Sequence, residues 1–282
     1  MQPIFRVILQ FMIIIMAAGQ AYAQDRMQLS GQQSGYPALT SVAQSQEGLL
    51  KQARQAYAQR HILTQLKLSL QLYAQALQLN PDNLQINLEY AAAIAWLEGY
   101  YDREGLQDEQ FLQNGLQAAQ KVLASEPDNA LAHYLNGILH GFYGRWLDSV
   151  QSFSHFGFME QELDWVINNQ PDLDYGGVYR ALGRYYAKLP GVLGGDDSKA
   201  ATYYLKAKAI APEYLLNNVL LAELYQQDGD GDDTKIKEVL EPVLNSQDPP
   251  QGLEPEWHMW QARAQYIIKA LDPTDQLAAA CE

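Results

Sequence analysis

Arginine beside an aromatic ring is the recurring chemical feature of this chain. Tyr101 with Arg103, then Tyr143, Arg145 and Trp146, then Tyr179, Arg180, Arg184 and Tyr185 fall in three short stretches of the 282-residue sequence. A guanidinium is planar and permanently charged, and it grips a carboxylate through two parallel N–H donors. Rings around it exclude water and give the contact an apolar wall. Such clusters can hold an organic anion, which makes Tyr101, Arg145, Trp146, Tyr179, Arg180, Arg184 and Tyr185 the candidate ligand-binding residues. The same side chains can instead fill wide helix–helix seams and pair with the chain's many carboxylates. The sequence leaves both readings open.

Other chemistries are poorly supported. In DGDGDD, Asp228, Asp230 and Asp232 occupy the first, third and fifth places of a calcium loop. The sixth place is Asp233 where glycine is needed, and the twelfth is Val239 where a bidentate Glu is needed. A solvated turn with Asp233 capping the next helix is the better reading. Of the five histidines (His61, His133, His140, His155 and His258), His133 and His140 share a helix face but stand two turns apart, too far for one ion without a third ligand. No Ser sits in a nucleophile elbow, no Gly-rich loop follows a strand, and there is no HExxH. The single Cys281 lies in AAACE, so an intrachain disulfide is impossible. The chain is expected to be no enzyme, with no catalytic residues, no metal and no cofactor.

The elements that must position the candidates follow from self-similarity. LYAQALQLNPDN, AAQKVLASEPDN and YYLKAKAIAPEY end alike at Pro81, Pro127 and Pro212, and INNQPDLDY adds Pro171, giving intervals of 46, 44 and 41 residues. Twelve residues before the proline stands a small residue, Ser69, Gly115 or Ala200; eight before stands Tyr73, Ala119 or Tyr204; ten after stands Ala91, Gly137 or Ala222. Small side chains at matched places let successive helices approach closely. Each proline, with its fixed φ and missing amide donor, is expected to start the following helix. The Pro171 copy is imperfect, with Met159 and Leu163 where small or aromatic residues are expected. Apolar residues in LQINLEYAAAIAWL and YLLNNVLLAELY recur at three and four residues, not two. The fold class is therefore all-α, an α-solenoid of stacked tetratricopeptide-like helical hairpins. EWHMWQARAQYIIKAL caps the stack through a stripe of Trp257, Trp260, Tyr266 and Ile267.

At the start, Arg6 precedes an apolar run from Val7 to Ala18, and Ala21-Tyr22-Ala23 forms a cleavage site before Gln24. This reads as a cleaved secretory signal peptide, since twelve apolar residues fall short of the roughly 20 that span a bilayer. The expected organisation is a signal peptide at 1–23, a Gln- and Ser-rich flexible lead-in at 24–46 and a helical-repeat domain at 47–282. No membrane span is expected after cleavage. With 33 acidic and 19 basic residues, a net charge of -14, the surface repels phosphates, and nucleic acid is not an expected partner.

The stretch RALGRYYAKLPGVLGGDDSKAATYYLKAKAIAPEY resembles the signature segment of the TatT family, the T component of tripartite ATP-independent periplasmic (TRAP) transporters. The likeness rests on Arg180-x-x-Gly183, Leu189-Pro190, Gly194-Gly195-Asp196 and Lys199-Ala200, with GILHGFYGRWLD upstream. The resemblance implies a periplasmic helical protein without catalytic activity. It further implies a pore or cleft through each subunit and association with the substrate-binding P component. A small organic solute would be the ligand, and a homotrimer is among the assemblies it allows. Some relatives are lipoproteins, but this sequence has no lipobox cysteine. The alternative is a generic tetratricopeptide scaffold that binds protein partners in envelope assembly along an open concave face.

Overall fold

A computed structural model describes residues 45–101, 109–145, 149–227 and 233–271. Among them lie eleven α-helices: α1 (Gln46–Tyr57), α2 (Leu63–Leu79), α3 (Leu84–Tyr100), α4 (Glu109–Ser125), α5 (Ala130–Gly144), α6 (Ser149–Asn169), α7 (Leu173–Lys188), α8 (Asp197–Ile210), α9 (Leu216–Gln227), α10 (Asp233–Leu244) and α11 (Glu254–Ala270). The signal peptide, the lead-in up to residue 44, Arg103, Trp146, Asp228 to Asp232 and Cys281 lie outside the described residues, while Ser45 caps α1 and Gln46 opens it. Asp233 is itself the first residue of α10 and not the cap before it.

The prolines mark turns, not helix starts. In each copy the residue two after the proline donates its amide to the carbonyl of the residue just before the proline: Asn83 to Asn80, Asn129 to Glu126, Leu173 to Gln170 and Tyr214 to Ala211. Proline thus occupies the second place of a four-residue turn, where its fixed φ is already correct. In the two PDN copies the asparagine then becomes the helix cap. The Asn83 side chain accepts from the Ile86 amide at 3.1 Å and that of Asn129 from Ala132 at 3.0 Å. A cap of this kind stabilises a helix by about 1 kcal/mol.

Consecutive helices pack as hairpins, and the odd-numbered ones also pack on one another: α3 on α5, α5 on α7, α7 on α9 and α9 on α11. The odd helices therefore form the inner layer of the stack. The matched small positions lie where helices meet: Ser69, Ala91, Ala119, Ala200 and Ala222 are fully buried. The imperfect Pro171 copy follows the same packing with the sizes exchanged. Met159 and Leu163 on α6 are buried, and glycines on α5 make room for them. A Cβ on Gly141 would come within 2.7 Å of the Met159 sulfur, and one on Gly137 within 3.0 Å of Leu163.

The stack curls until its last helix meets its first turn. Arg60, just after α1, pairs with Glu256 in α11, and His61 stacks on His258 at 4.8 Å. α11 caps the apolar interior through Trp260, Ala264 and Ile267, all buried. Tyr266 departs from the expected stripe: one residue along a helix is a rotation of about 100°, and its side chain is 65% exposed. No helix among the described residues is long and apolar enough to cross a membrane.

Candidate functional site

The inner helices enclose a cavity of about 440 Å³. Ala92, Ala95, Leu131, Leu135, Ile138 and Leu220 are among the apolar residues of its wall. The same wall holds Arg60, Arg145, Arg180, Arg184 and Lys188 and, among the described residues, two carboxylates, Asp174 and Glu256. A chain that carries a net charge of -14 thus turns a cationic surface inward.

α7 supplies most of this charge, and its local structure explains how. After the Pro171 turn, Asp174, Tyr175 and Gly176 all take left-handed backbone angles, with φ of 50°, 56° and 74°. Glycine accepts that geometry freely, whereas each of the two preceding residues is strained by about 1–3 kcal/mol. Arg180 holds the strained turn closed. Its Nη1 donates to the Tyr175 carbonyl at 2.6 Å, and its Nη2 donates to the Asp174 carbonyl and to Asp174 Oδ2, the last at 2.7 Å. The Tyr134 hydroxyl donates to the same Oδ2 at 3.0 Å, and the Arg180 guanidinium lies 4.2 Å from the centre of the Tyr214 ring. Burial alone would lower the pKa of Arg180, but the Asp174 charge and the surrounding phenols outweigh it and the value is raised. Arg180 is therefore a buried, charged clamp on its own chain.

One turn on, Arg184 bridges to α3, its Nη1 donating to the Gly99 carbonyl at 3.2 Å. Arg184, Lys188, Gly99 and Tyr100 also line a second, smaller cavity of about 80 Å³, so this corner separates the two spaces. Arg145, at the end of α5, is exposed and lies 5.1 Å from the Phe142 ring. Tyr185 lines the main cavity with its ring edge-on to Phe156 at 5.3 Å.

The structure thus gathers Arg145, Arg180, Arg184 and Tyr185 around one space and leaves two described candidates elsewhere. Tyr101 is buried and donates its hydroxyl to the His61 carbonyl at 2.7 Å. Tyr179 is half-buried against the cluster of Met159, Leu163 and Val178, near Tyr203 and Lys206, and is not among the residues that line the cavity. The α7 motif is explained by packing: a Cβ on Gly183 would lie 2.4 Å from the Tyr204 ring, and one on Gly195 would collide with the Leu189 carbonyl. Asp196 caps α8 through the Lys199 amide at 2.9 Å.

Sequence reasoning misses Arg60, Trp96, Tyr100, Tyr134, Tyr214 and Glu256, which complete the wall. The spacing of Trp96 and Tyr100, one helical turn apart, is the available signal; their rings stack at 4.2 Å. The histidines serve packing. His133 bonds Glu162 and the Pro127 carbonyl and stacks on Trp165, while His140 and His155 share a 2.8 Å contact between ring nitrogens. No group of three or more His, Cys, Asp or Glu among the described residues could hold a metal ion.

Residues 140–271, which include α7, its clamp and the Arg145 and Arg184 positions, match the family model described as TRAP transporter T-component. No curated protein matches the sequence. Among solved structures, the chain is similar to a thermophilic TPR protein of Thermus thermophilus, at 18% identity and a TM-score of 0.54 over 79% of this chain and 100% of that one. The MamA protein gives 16% identity and a TM-score of 0.42 over 73% and 97%. The first likeness is one of fold, and the family match points to an accessory role in a periplasmic or membrane-associated transport system. Through residues 140–271, on an all-α scaffold of stacked tetratricopeptide-like hairpins, the chain is matched to the T-component family of TRAP transporters.

Proposed function

We propose that the protein is a non-enzymatic periplasmic accessory component of a TRAP-type transport system, which binds a small organic anion in the central cavity and docks to the substrate-binding P component. The observation that carries this reading is the inward charge: five cations against two carboxylates around an apolar space, in an acidic protein. Apolar wall residues retain the carbon body of a solute, while guanidinium groups of the same wall hold a carboxylate. The Arg60–Glu256 contact across the concave side supports a solute cavity over the open peptide groove that a generic scaffold needs.

Trp96 lies in the cavity wall, so its fluorescence reports occupancy. Titration with decanoate should give saturable quenching, weakened about tenfold or more in Arg184→Gln and in Arg145→Gln, the effect of losing a charge-assisted hydrogen bond. Absence of saturable binding by decanoate and by shorter carboxylates would sink the solute reading. Co-elution of the mature chain with the cognate P component tests docking separately, and a pair that never co-elutes removes that half of the proposal.

A further inference from the structure

Glu256 is used from one side only. Its Oε1 accepts from Arg60 Nε at 3.1 Å, from Arg60 Nη2, and from the Trp96 indole N–H at 3.3 Å. Its Oε2 is buried with no hydrogen-bond partner among the described residues, and Glu256 lines the cavity. The hydroxyl of Tyr100, another cavity residue, is likewise buried and without a partner. Tyr214 and the Trp260 indole lie near that hydroxyl, and the Trp260 N–H is itself buried without a partner among the described residues. The two spare groups belong to one wall: Trp96 stacks on the Tyr100 ring at 4.2 Å and donates to Glu256. A carboxylate and a phenol therefore flank the same indole in the cavity wall.

Buried polar atoms are rarely left unmatched, so a vacant acceptor beside a vacant donor specifies what should come between them. An ammonium could donate to Oε2 but could not accept from the phenol, and it would meet the Arg60 charge already neutralising Glu256. A carboxylate could accept from the phenol but would confront Oε2 with a like charge. A hydroxyl answers both groups, donating to one and accepting from the other, and carries no charge. We infer that the cavity recognises a hydroxylated organic anion, whose hydroxyl donates to Glu256 Oε2 and accepts from the Tyr100 O–H. This inference rests on the solute reading above and adds the group that selects among solutes.

A site built to hydrogen-bond a hydroxyl discriminates against the analogue lacking it. The test compares decanoate with 2-, 3- and 10-hydroxydecanoate by Trp96 fluorescence and calorimetry. At least one hydroxy isomer should bind about tenfold more tightly than decanoate, a ratio set by one hydrogen bond to a charged group. That ratio should collapse toward one in Tyr100→Phe and in Glu256→Gln. Tyr100→Phe is the conservative change should Glu256→Gln unfold, and the wild-type ratio stands as a test without either variant. Equal affinities for decanoate and every hydroxy isomer would overturn the inference and leave the solute reading intact, as would a gain that survives Tyr100→Phe. Failure of all four acids to bind would overturn the solute reading and this inference with it.

Discussion

Two ion pairs face the same cavity, and they are held for different reasons. Asp174 and Arg180 are six residues apart, and the guanidinium uses its donors on the carboxylate and on two carbonyls of one strained turn. Arg60 and Glu256 are separated by 196 residues, and together they join the last helix of the stack to its first turn. The first pair commits three of the five guanidinium N–H donors to the turn, so a solute that drew on those donors would release it. The second leaves one carboxylate oxygen over. An arginine in a pocket is thus not automatically a ligand-binding arginine; what its donors already hold decides the matter.

The sharpest break of this comparison is Arg180→Met. It leaves two carbonyls without their donor, and the Asp174 carboxylate with only the Tyr134 hydroxyl, in a turn that costs energy to maintain. The expected loss is about 2–4 kcal/mol, below the top of the range for a broken buried pair, because Asp174 keeps solvent access. Urea denaturation measures the loss, and hydrogen exchange should localise it to residues 171–178. A cost under about 1 kcal/mol would mean that the turn stands without its clamp.

Acid extends the comparison to a contact with no fixed charge. Burial first, then the neighbouring His155, lowers the pKa of His140 to about 4. Above about pH 6.5 the histidine is neutral folded or unfolded and contributes nothing to the pH dependence. As pH falls below that value the unfolded chain takes up the proton and the folded chain refuses it, so stability falls until the folded group titrates near pH 4. The difference amounts to about 2 kcal/mol by about pH 5. His140→Asn should flatten the stability profile between about pH 6.5 and 5 relative to the parent. An unchanged slope would show that the 2.8 Å contact with His155 does not exclude the proton.

A smaller effect separates the regular turns from the clamped one. Asn83→Ala and Asn129→Ala each remove a cap and should cost about 1 kcal/mol. Asp172, at the equivalent boundary of α7, makes no capping side-chain hydrogen bond, and Asp172→Ala should be close to neutral. Equal losses at all three positions in thermal melts would erase the distinction between the turns.

What can be read from the residues alone follows the range of the interaction. Proline period, small-residue spacing and apolar periodicity are local, and they carry the hairpins and their seams; Ala91, Ala200 and Ala222 are fully buried as the spacing requires. The role of each proline is ambiguous in the sequence because its fixed φ suits a helix start and a turn equally, and the residue two positions on, whose amide closes the turn, decides between them. At the site, adjacency misleads. Tyr179 neighbours Arg180 in sequence, but one helical step of about 100° carries its ring away from the cavity, toward Tyr203 and Lys206. The Arg60–Glu256 pair has no local signal, since only the accumulated curl of the stack brings residues 196 positions apart together.

The smallest expected effect is the most discriminating. Replacing both partners of a buried ion pair by apolar residues is often neutral, because the desolvation cost disappears along with the attraction. Arg60→Met with Glu256→Met should therefore leave stability within about 1 kcal/mol of the parent, although the Trp96 indole loses its acceptor. Either change alone strands a buried charge and should cost several times more. A charge-removing double replacement at Arg180 and Asp174, Arg180→Met with Asp174→Asn, which keeps a polar side chain at the exposed position, cannot be neutral. The two carbonyls of the left-handed turn still lose the donors that held them, and about 2 kcal/mol should remain. If the two double variants behave alike in denaturation, both pairs are merely electrostatic. If only the Arg60 and Glu256 pair can be exchanged for apolar residues, its charges are not required for folding, and recognition of a solute is the remaining reason for a carboxylate there.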